Sequence, residues 1–183
     1  MMERMNAPHN IEDSVAGGLT PEEFKAAFRQ HPAGIAVITG DAGQGPVAMT
    51  ASSVFSVSAE PPVLVFSISA MSSAAPTLLS AETLVVHMLT AENLDLAKLG
   101  ATSGIDRFAD TSIWGRLPTG EPYFTGAHAW LRGRVVDKMS IGDSTVVAVH
   151  ALESSIPNDA ASAHPLVYHN RTWHALGEGS KIQ

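Results

Sequence analysis

Short apolar runs, rich in β-branched residues and separated by glycines, prolines and serines, dominate the pattern of this chain. Runs of this length and composition predict strands. Turn-forming residues at positions 40–45 and 142–143 would join neighbouring strands as tight connections. The predicted strands are residues 33–39, 46–51, the two runs that flank Pro61-Pro62, 83–89, 127–137, 144–152, 165–169 and 173–176.

Three short helices are predicted between these strands. The Thr-Pro-Glu-Glu run at residues 20–23 is a capping-box start, and a proline two residues beyond Gln30 should end that helix. Residues 72–79 and 91–99 predict the other two helices. Many short strands with only a few helices indicate a closed or nearly closed antiparallel barrel.

Composition narrows the class of protein. A chain of 183 residues with 45% hydrophobic and 16% charged residues is most simply one globular domain, which we place at residues 19–177 between a flexible leader, 1–18, and a short tail, 178–183. The net charge of −7 and the lack of a basic stripe argue against nucleic-acid binding. No apolar run is long enough to span a membrane, and the absence of cysteine is compatible with a cytoplasmic protein.

The stretch of residues 46–62 carries the most informative chemistry. It begins apolar, becomes rich in hydroxyl groups, and is followed by a second apolar run, residues 63–69. Small hydroxylated side chains let a ligand approach a strand end, where hydroxyl and N–H groups can donate to phosphate oxygens. The alternative is a serine-rich strand end whose hydroxyls bond to its own backbone. The hydroxyl-bearing residues that favour a ligand are Thr50, Ser52, Ser53, Ser67 and Ser69.

Other kinds of site find little support in the sequence. The eight histidines have no metal-ligand spacing, so no metal site is expected. A G-x-S-x-G nucleophile elbow, a G-x-G-x-x-G dinucleotide motif and a P-loop are all missing from the sequence. A nicotinamide cofactor would therefore have to bind transiently on another surface.

A set of motifs along the chain points to a known family. The run Thr50-Ala51-Ser52-Ser53 is followed by Ser56-Val57-Ser58 and Pro61-Pro62. Further motifs lie at residues 28–39, 67–69, 106–108, 126–129, 142–143 and 165–168. This ordered set covers roughly residues 20 to 176 and resembles the flavin reductase-like, FMN-binding split-barrel family.

The resemblance implies a mainly β protein: an antiparallel split β-barrel of Greek-key type with a few short peripheral helices. It implies a homodimer that binds FMN, or FAD, accepts a hydride from NADH or NADPH, and supplies reduced flavin to a partner monooxygenase or another acceptor. No catalytic side chain is expected, because the flavin carries the redox chemistry. The implied flavin contacts are Thr50, Ala51, Ser52, Ser53, Ser67, Ser69, Ser72, Ser73, His87, Arg107 and Phe108.

Two positions depart from the family pattern. Ser144 stands where the family usually has a histidine associated with the nicotinamide donor, and His87 replaces an asparagine. A flavin-binding protein without reductase activity is therefore an alternative, and a barrel that binds no flavin and serves as an interaction module is a third. Individual residues also have plain alternatives: a strand histidine for His87, a salt bridge for Arg107 and a core ring for Phe108.

Overall fold

The structure, a computed structural model, describes residues 17–158 and 163–182. The predicted leader therefore lies almost wholly outside the described residues. The helices are α1 (Pro21–Arg29), α2 (Ala75–Ser80) and α3 (Leu94–Ala101), with 3₁₀ turns at Ala91–Asn93 and Glu178–Ser180. The strands are β1 (Ala33–Gly34), β2 (Ala36–Asp41), β3 (Pro46–Ala51), β4 (Phe55–Ala59), β5 (Pro62–Ser69), β6 (Thr83–Met88), β7 (Trp114–Arg116), β8 (Pro122–Phe124), β9 (Ala129–Ile141), β10 (Ser144–Ser155), β11 (Leu166–His169) and β12 (Thr172–Ala175).

Seven of the strands form the main antiparallel sheet, in the order β3-β2-β6-β9-β10-β5-β4. A three-stranded sheet, β1-β11-β12, and the β7–β8 pair lie outside it. The predicted mainly β class with antiparallel strands and a few short helices is confirmed. In this order β3 and β5 lie near opposite ends of the main sheet. The ends of these two strands both line the candidate site described below.

The main sheet wraps around a single apolar cluster. Ile38 of β2, Met49 of β3, Phe66 of β5 and Val147 of β10 all contribute to it, and Leu78 of α2 packs against them. Since strands from both ends of the sheet supply side chains to one cluster, the sheet must curve strongly. Burial of these large side chains stabilises the curvature by about 1.5–3 kcal/mol per fully buried residue.

A second apolar cluster covers the opposite face of β2 and β3. Val37 and Ala48 point away from the first cluster and pack with Ala97 of α3 and Leu166 of β11. Alternation along a strand explains this arrangement, because successive side chains point to opposite faces. Both faces of β2 are thus buried, which accounts for the continuous burial of residues 36–40 without alternation.

Helix α1 forms as its capping sequence predicts. The backbone N–H of Glu23 donates to Thr20 Oγ1 at 3.3 Å, and the backbone N–H of Thr20 donates to Glu23 Oε2 at 2.9 Å. No residue of this helix is buried. Within the described ranges, no helix is long and apolar enough to cross a membrane.

The bounds of α2, β9 and β10 differ from the predictions. Helix α2 begins at Ala75, because residues 71–74 form turns in which the Ala75 N–H donates to the carbonyl of Ser72 at 3.0 Å. Strands β9 and β10 extend beyond the predicted ends, to Ile141 and Ser155. The exposed ends of these strands are paired through their backbones, so no apolar periodicity marks them.

Candidate functional site

A cleft of about 620 Å³ opens where the end of β3, the end of β5, the start of β10 and the end of α3 come together. Its volume falls within the range of roughly 300–1,000 Å³ that is usual for small-molecule sites. The predicted flavin contacts that line it are Thr50, Ala51, Ser52, Ser53, Ser67, Ser69, Ser72, Ser73 and Arg107. The other lining residues are Met49, Met71, Gly100, Ala101, Ser103, Gly104 and Ser144.

Two hydroxyl groups of the cleft hold its wall together. Thr50 Oγ1 donates to the carbonyl oxygen of Ala97 in α3 at 2.6 Å. Ser53 Oγ accepts from the backbone N–H of Ser67 at 3.0 Å and donates to its carbonyl oxygen at 3.2 Å. These two hydroxyls therefore fit the alternative to a ligand site considered above, in which the hydroxyls of the strand end bond to the backbone. They join the end of β3 to α3 on one side and to β5 on the other.

Other hydroxyls of the cleft keep their protons available. No hydrogen-bond partner is found among the described residues for the side chains of Ser52, Ser67, Ser103 and Ser144. The hydroxyls of Ser69 and Ser72 only accept, from the backbone N–H groups of Met71 at 3.2 Å and Ala74 at 3.4 Å. These groups can donate to an anionic ligand without breaking a bond of the fold.

Among the described residues that line the cleft, Arg107 is the only charged one. Its guanidinium donates to the carbonyls of Leu99 at 3.3 Å and Thr102 at 2.7 Å, and to Ser73 Oγ at 3.4 Å. The carbonyls at the end of α3 carry partial negative charge, which favours a cation there. Within the described part of the chain no carboxylate pairs with Arg107. Its charge is therefore held at the cleft without being neutralised, which differs from the salt bridge considered above.

His87 lies away from the cleft, in the interior. Its side chain is fully buried, Nδ1 is 2.8 Å from the carbonyl oxygen of Val37, and the backbone N–H of Phe124 donates to Nε2 at 3.0 Å. These partners assign a neutral ring with its proton on Nδ1. Burial lowers the pKa of His87 to about 4, against the smaller opposing effect of the bond to Val37. The structure supports the alternative interpretation, a strand histidine that holds the core together.

Phe108 also lies in the core and not on the cleft. Its ring stacks on Phe124 with centroids 5.3 Å apart and meets Trp114 edge-on at 5.0 Å. Only 6% of the residue is exposed. The neighbouring Arg107 and Phe108 thus point to different environments, the cleft and the second apolar cluster, and the core-ring alternative describes Phe108.

Sequence reasoning missed several residues of the cleft. Ser144 was noted only as a departure, yet β10 pairs with β5 so that Ser144 lies opposite Ser69. The register of strands distant in sequence determines that position. Gly100, at the end of α3, and Gly104, three residues beyond this helix, line the cleft because tertiary packing brings the helix end against β3. Across residues 17–158 and 163–182, no group of three or more histidine, aspartate and glutamate side chains is placed to hold a metal ion.

The chain is similar to known proteins over most of its length. The family model described as "Flavin reductase like domain" matches residues 28–177. The chain belongs to this family. The family assignment agrees with the position of the cleft, which is built around the Thr50–Ser53 run of the sequence motif.

Individual members of the flavin reductase family are similar over most of their length. The "NADH:FMN oxidoreductase" of Rhodococcus qingshengii is 43% identical over 157 residues, which cover 83% of this chain and 80% of that protein. The flavin reductase domain protein of Arthrobacter sp. FB24 has a similar crystal structure, with a TM-score of 0.80, 32% identity, and coverage of 86% and 96%. BorF, described as the flavin reductase component of a bacterial two-component tryptophan halogenase, has a TM-score of 0.76 and 26% identity, with coverage of 87% and 99%.

Proposed function

We propose that this protein is an NADH-dependent flavin reductase that binds FMN in the cleft of Thr50–Ser53, with FAD and NADPH as less favoured ligands. The observation that carries the proposal is an unneutralised guanidinium, that of Arg107, beside a row of hydroxyls with protons to donate. A phosphate monoester fits this donor set, because it brings negative charge and several acceptor oxygens. The relative from Rhodococcus qingshengii, named as an NADH:FMN oxidoreductase, supports the same ligand pair.

The residues divide into groups with different tasks. Arg107, with Ser72 and Ser73 beside it, would hold the phosphate, while Ser52, Ser67 and Ser69 would donate to the ribityl hydroxyls. When bound, the flavin supplies the redox chemistry, by accepting a hydride from the nicotinamide. The protein then needs to bind, orient and desolvate the two cofactors, and no acid–base side chain is required of it.

We further propose that the curved sheet is a split barrel of Greek-key type and that two copies of the chain associate. Strand β4 lies at an edge of the sheet and leaves Phe55 and Val57 62% and 57% exposed. Phe55 also lines an apolar groove of about 390 Å³, together with Val63 and Leu131. An unpaired edge with exposed apolar side chains is normally covered. Light scattering should give the mass of a dimer, and Phe55→Asp should reduce it to that of one chain.

The electrons are proposed to leave the protein as reduced flavin. The structurally similar BorF is described as the reductase component of a two-component halogenase, which supports a role in supplying an oxygenase. Cytochrome c or dioxygen would serve as an acceptor of reduced flavin in an assay without the partner. An assay in which a flavin-dependent monooxygenase is active only when this protein, FMN and NADH are all present tests the supply role.

An anaerobic spectrum tests the main proposal. Purified protein is mixed with FMN, and the flavin absorption band at about 450 nm is followed after NADH is added. The expected result is loss of the band at a rate that depends on protein concentration. A second candidate, flavin binding without reduction, is favoured by Ser144, which lies in the cleft where the family usually has histidine. Binding without bleaching would establish that candidate and overturn the reductase.

A further inference from the structure

Arg107 lies in a long connection that has one anchor in the core. Residues 102–113, which the structure describes in full, join α3 to β7 without a helix or strand. Among them only Phe108 is buried, while the others are exposed or half-buried. A segment of this kind is fixed mainly where it contacts the rest of the protein. The position of Arg107 therefore depends on how firmly the neighbouring Phe108 is held.

Trp114, the first residue of β7, contacts Phe108 at both its carbonyl and its ring. The indole Nε1–H donates to the carbonyl oxygen of Phe108 at 3.0 Å. The indole also meets the Phe108 ring edge-on, with centroids 5.0 Å apart. Trp114 is itself held in place, because it pairs with Phe124 across β7 and β8, and the guanidinium of Arg116 lies 5.9 Å from the centroid of its ring.

The N–H group of Phe108 is bound as well. It donates to Oδ1 of Asp106 at 2.9 Å. For the carbonyl of Phe108, the indole of Trp114 is the sole donor found within residues 17–158 and 163–182. Without the indole N–H, this carbonyl of a buried residue would lose its partner, and the turn of residues 106–108 would be free to shift toward water.

The turn places the side chain of Arg107 between the end of α3 and the cleft. The guanidinium donates to the carbonyls of Leu99 and Thr102, and its Nη1 lies 3.4 Å from the hydroxyl oxygen of Ser73, which lines the cleft. Fixing a long arginine side chain before the ligand arrives removes part of the entropy cost of binding. A firmly held Phe108 therefore favours the binding of an anion at Arg107.

We propose that Trp114 is a positioning residue for the phosphate of the flavin: by binding the carbonyl of Phe108 it keeps Arg107 in place to receive that phosphate. The proposal rests on the proposed function for the identity of the anion. Trp114 is not among the residues that line the cleft, so it acts through Arg107 and not by touching the ligand. Its effect should therefore be confined to ligands that carry a phosphate.

Trp114→Phe tests this role, because phenylalanine keeps an aromatic ring but has no N–H to donate. FMN should bind the variant about three- to tenfold more weakly, the factor expected for one lost hydrogen bond, while riboflavin affinity stays within about twofold of wild type. In turnover, the KM for FMN should rise with kcat unchanged. Equal losses for FMN and riboflavin would overturn the proposal, since they would show that the indole supports the fold alone.

Trp173→Phe is the matched control. Trp173 also packs against the second apolar cluster, and no hydrogen bond of its indole is found among the described residues. The control makes the same chemical change without releasing the carbonyl of Phe108. Its affinities for FMN and riboflavin should both stay within about twofold of wild type.

A double variant tests whether Trp114 acts through Arg107. In the Arg107→Gln background there is no guanidinium to position, so adding Trp114→Phe should change FMN affinity by no more than about twofold. A further loss as large as that of Trp114→Phe alone would mean that the indole supports the cleft by another route, which would overturn the proposal.

Asp106 offers a second test at an exposed residue, where a change is tolerated by the fold. Asp106→Ala and Asp106→Asn remove the same charge, but only asparagine keeps an oxygen that can accept from the N–H of Phe108. Asp106→Ala should therefore bind FMN about three- to tenfold more weakly than Asp106→Asn, with equal affinities for riboflavin. Equal FMN affinities of the two variants would contradict a role of the turn in phosphate binding.

Hydrogen–deuterium exchange measures the turn without any flavin. Exchange of the amides of residues 102–110 should be faster in Trp114→Phe than in wild type and in Trp173→Phe. Unchanged exchange would overturn the proposal. Wild-type protein that binds FMN no more tightly than riboflavin would overturn the phosphate assignment of the proposed function itself. Wild-type protein that prefers FMN, together with a Trp114→Phe variant that keeps the full preference, would overturn the positioning role alone.

Discussion

Gly100 lies so close to Thr50 that a Cβ atom at position 100 would come within 2.4 Å of the Thr50 hydroxyl oxygen and 3.0 Å of its backbone nitrogen. The hydroxyl of Thr50 in turn donates to the carbonyl of Ala97, one turn earlier in α3. The helix and β3 can therefore approach closely only where the helix lacks a side chain. This contact forms one wall of the proposed flavin cleft.

Gly100→Ala is expected to weaken both the fold and the cleft. The added methyl group would push α3 away from β3, at a cost of about 1–3 kcal/mol for overpacking; over most of that range the cost is larger than the roughly 1 kcal/mol gained in helix propensity. Urea unfolding should show reduced stability, and fluorescence titration should show weaker FMN binding. Gly179→Ala is the control, because nothing lies within 4 Å of its Cβ position. Equal stability of the two variants would contradict the close approach.

The two serines of the Thr50–Ser53 run should respond differently to mutation. Ser53→Ala removes two hydrogen bonds to Ser67 and should lower the free energy of unfolding by about 1–2 kcal/mol. Ser52→Ala removes no bond within the described protein, so stability should remain unchanged while FMN binds about three- to tenfold more weakly. Thermal unfolding and FMN titration of both variants separate the roles. Loss of stability in Ser52→Ala would show that its hydroxyl is structural.

The sequence located the cleft because its hydroxyl groups lie at the ends of strands that are recognisable from short apolar runs. It could not place His87, since residues 84–87 of β6 are all buried and alternation no longer distinguishes a ligand-facing side from a core-facing side. It could not separate Arg107 from Phe108 either, because their surroundings come from α3 and β8, brought together only by tertiary packing. The register between β5 and β10 likewise determines that Ser144 faces Ser69.

Arg107→Gln should weaken FMN binding through the phosphate alone. Loss of a charge-assisted contact is worth about 1.5–3 kcal/mol, or roughly 10- to 150-fold in affinity. Riboflavin, which has no phosphate, should bind the variant and the wild type equally. Titrations of both ligands therefore form a matched pair. If riboflavin loses as much affinity as FMN, the arginine supports the end of α3 and does not contact the phosphate.

The buried His87 predicts a specific dependence of stability on pH. Its pKa is about 4 in the folded protein, below the ordinary value of about 6.5, so the unfolded chain binds more protons between these values. The free energy of unfolding should fall as pH decreases through this window. From pH 7 to pH 5 the loss attributable to His87 is about 2 kcal/mol.

His87→Asn provides the comparison, because an amide can bond to Val37 and Phe124 without titrating. The free energy of unfolding is measured in urea at pH 7 and at pH 5. Its decrease between these two pH values should be about 2 kcal/mol smaller in the variant than in wild type. If both proteins lose stability equally, the histidine is not responsible for the acid sensitivity.

Ser144→His should improve the use of NADH, since the family resemblance implies a histidine associated with the nicotinamide donor at this position. Ser144 pairs with Ser69 and lines the cleft, so an imidazole there would project into the space beside the proposed flavin site. We expect the KM for NADH to fall about three- to tenfold, the equivalent of one added hydrogen bond, while FMN affinity stays constant. Ser144→Ala is the control and should leave the KM within about twofold of wild type. A large increase in KM for Ser144→Ala would instead mean that the serine hydroxyl itself contacts the nicotinamide donor in this protein.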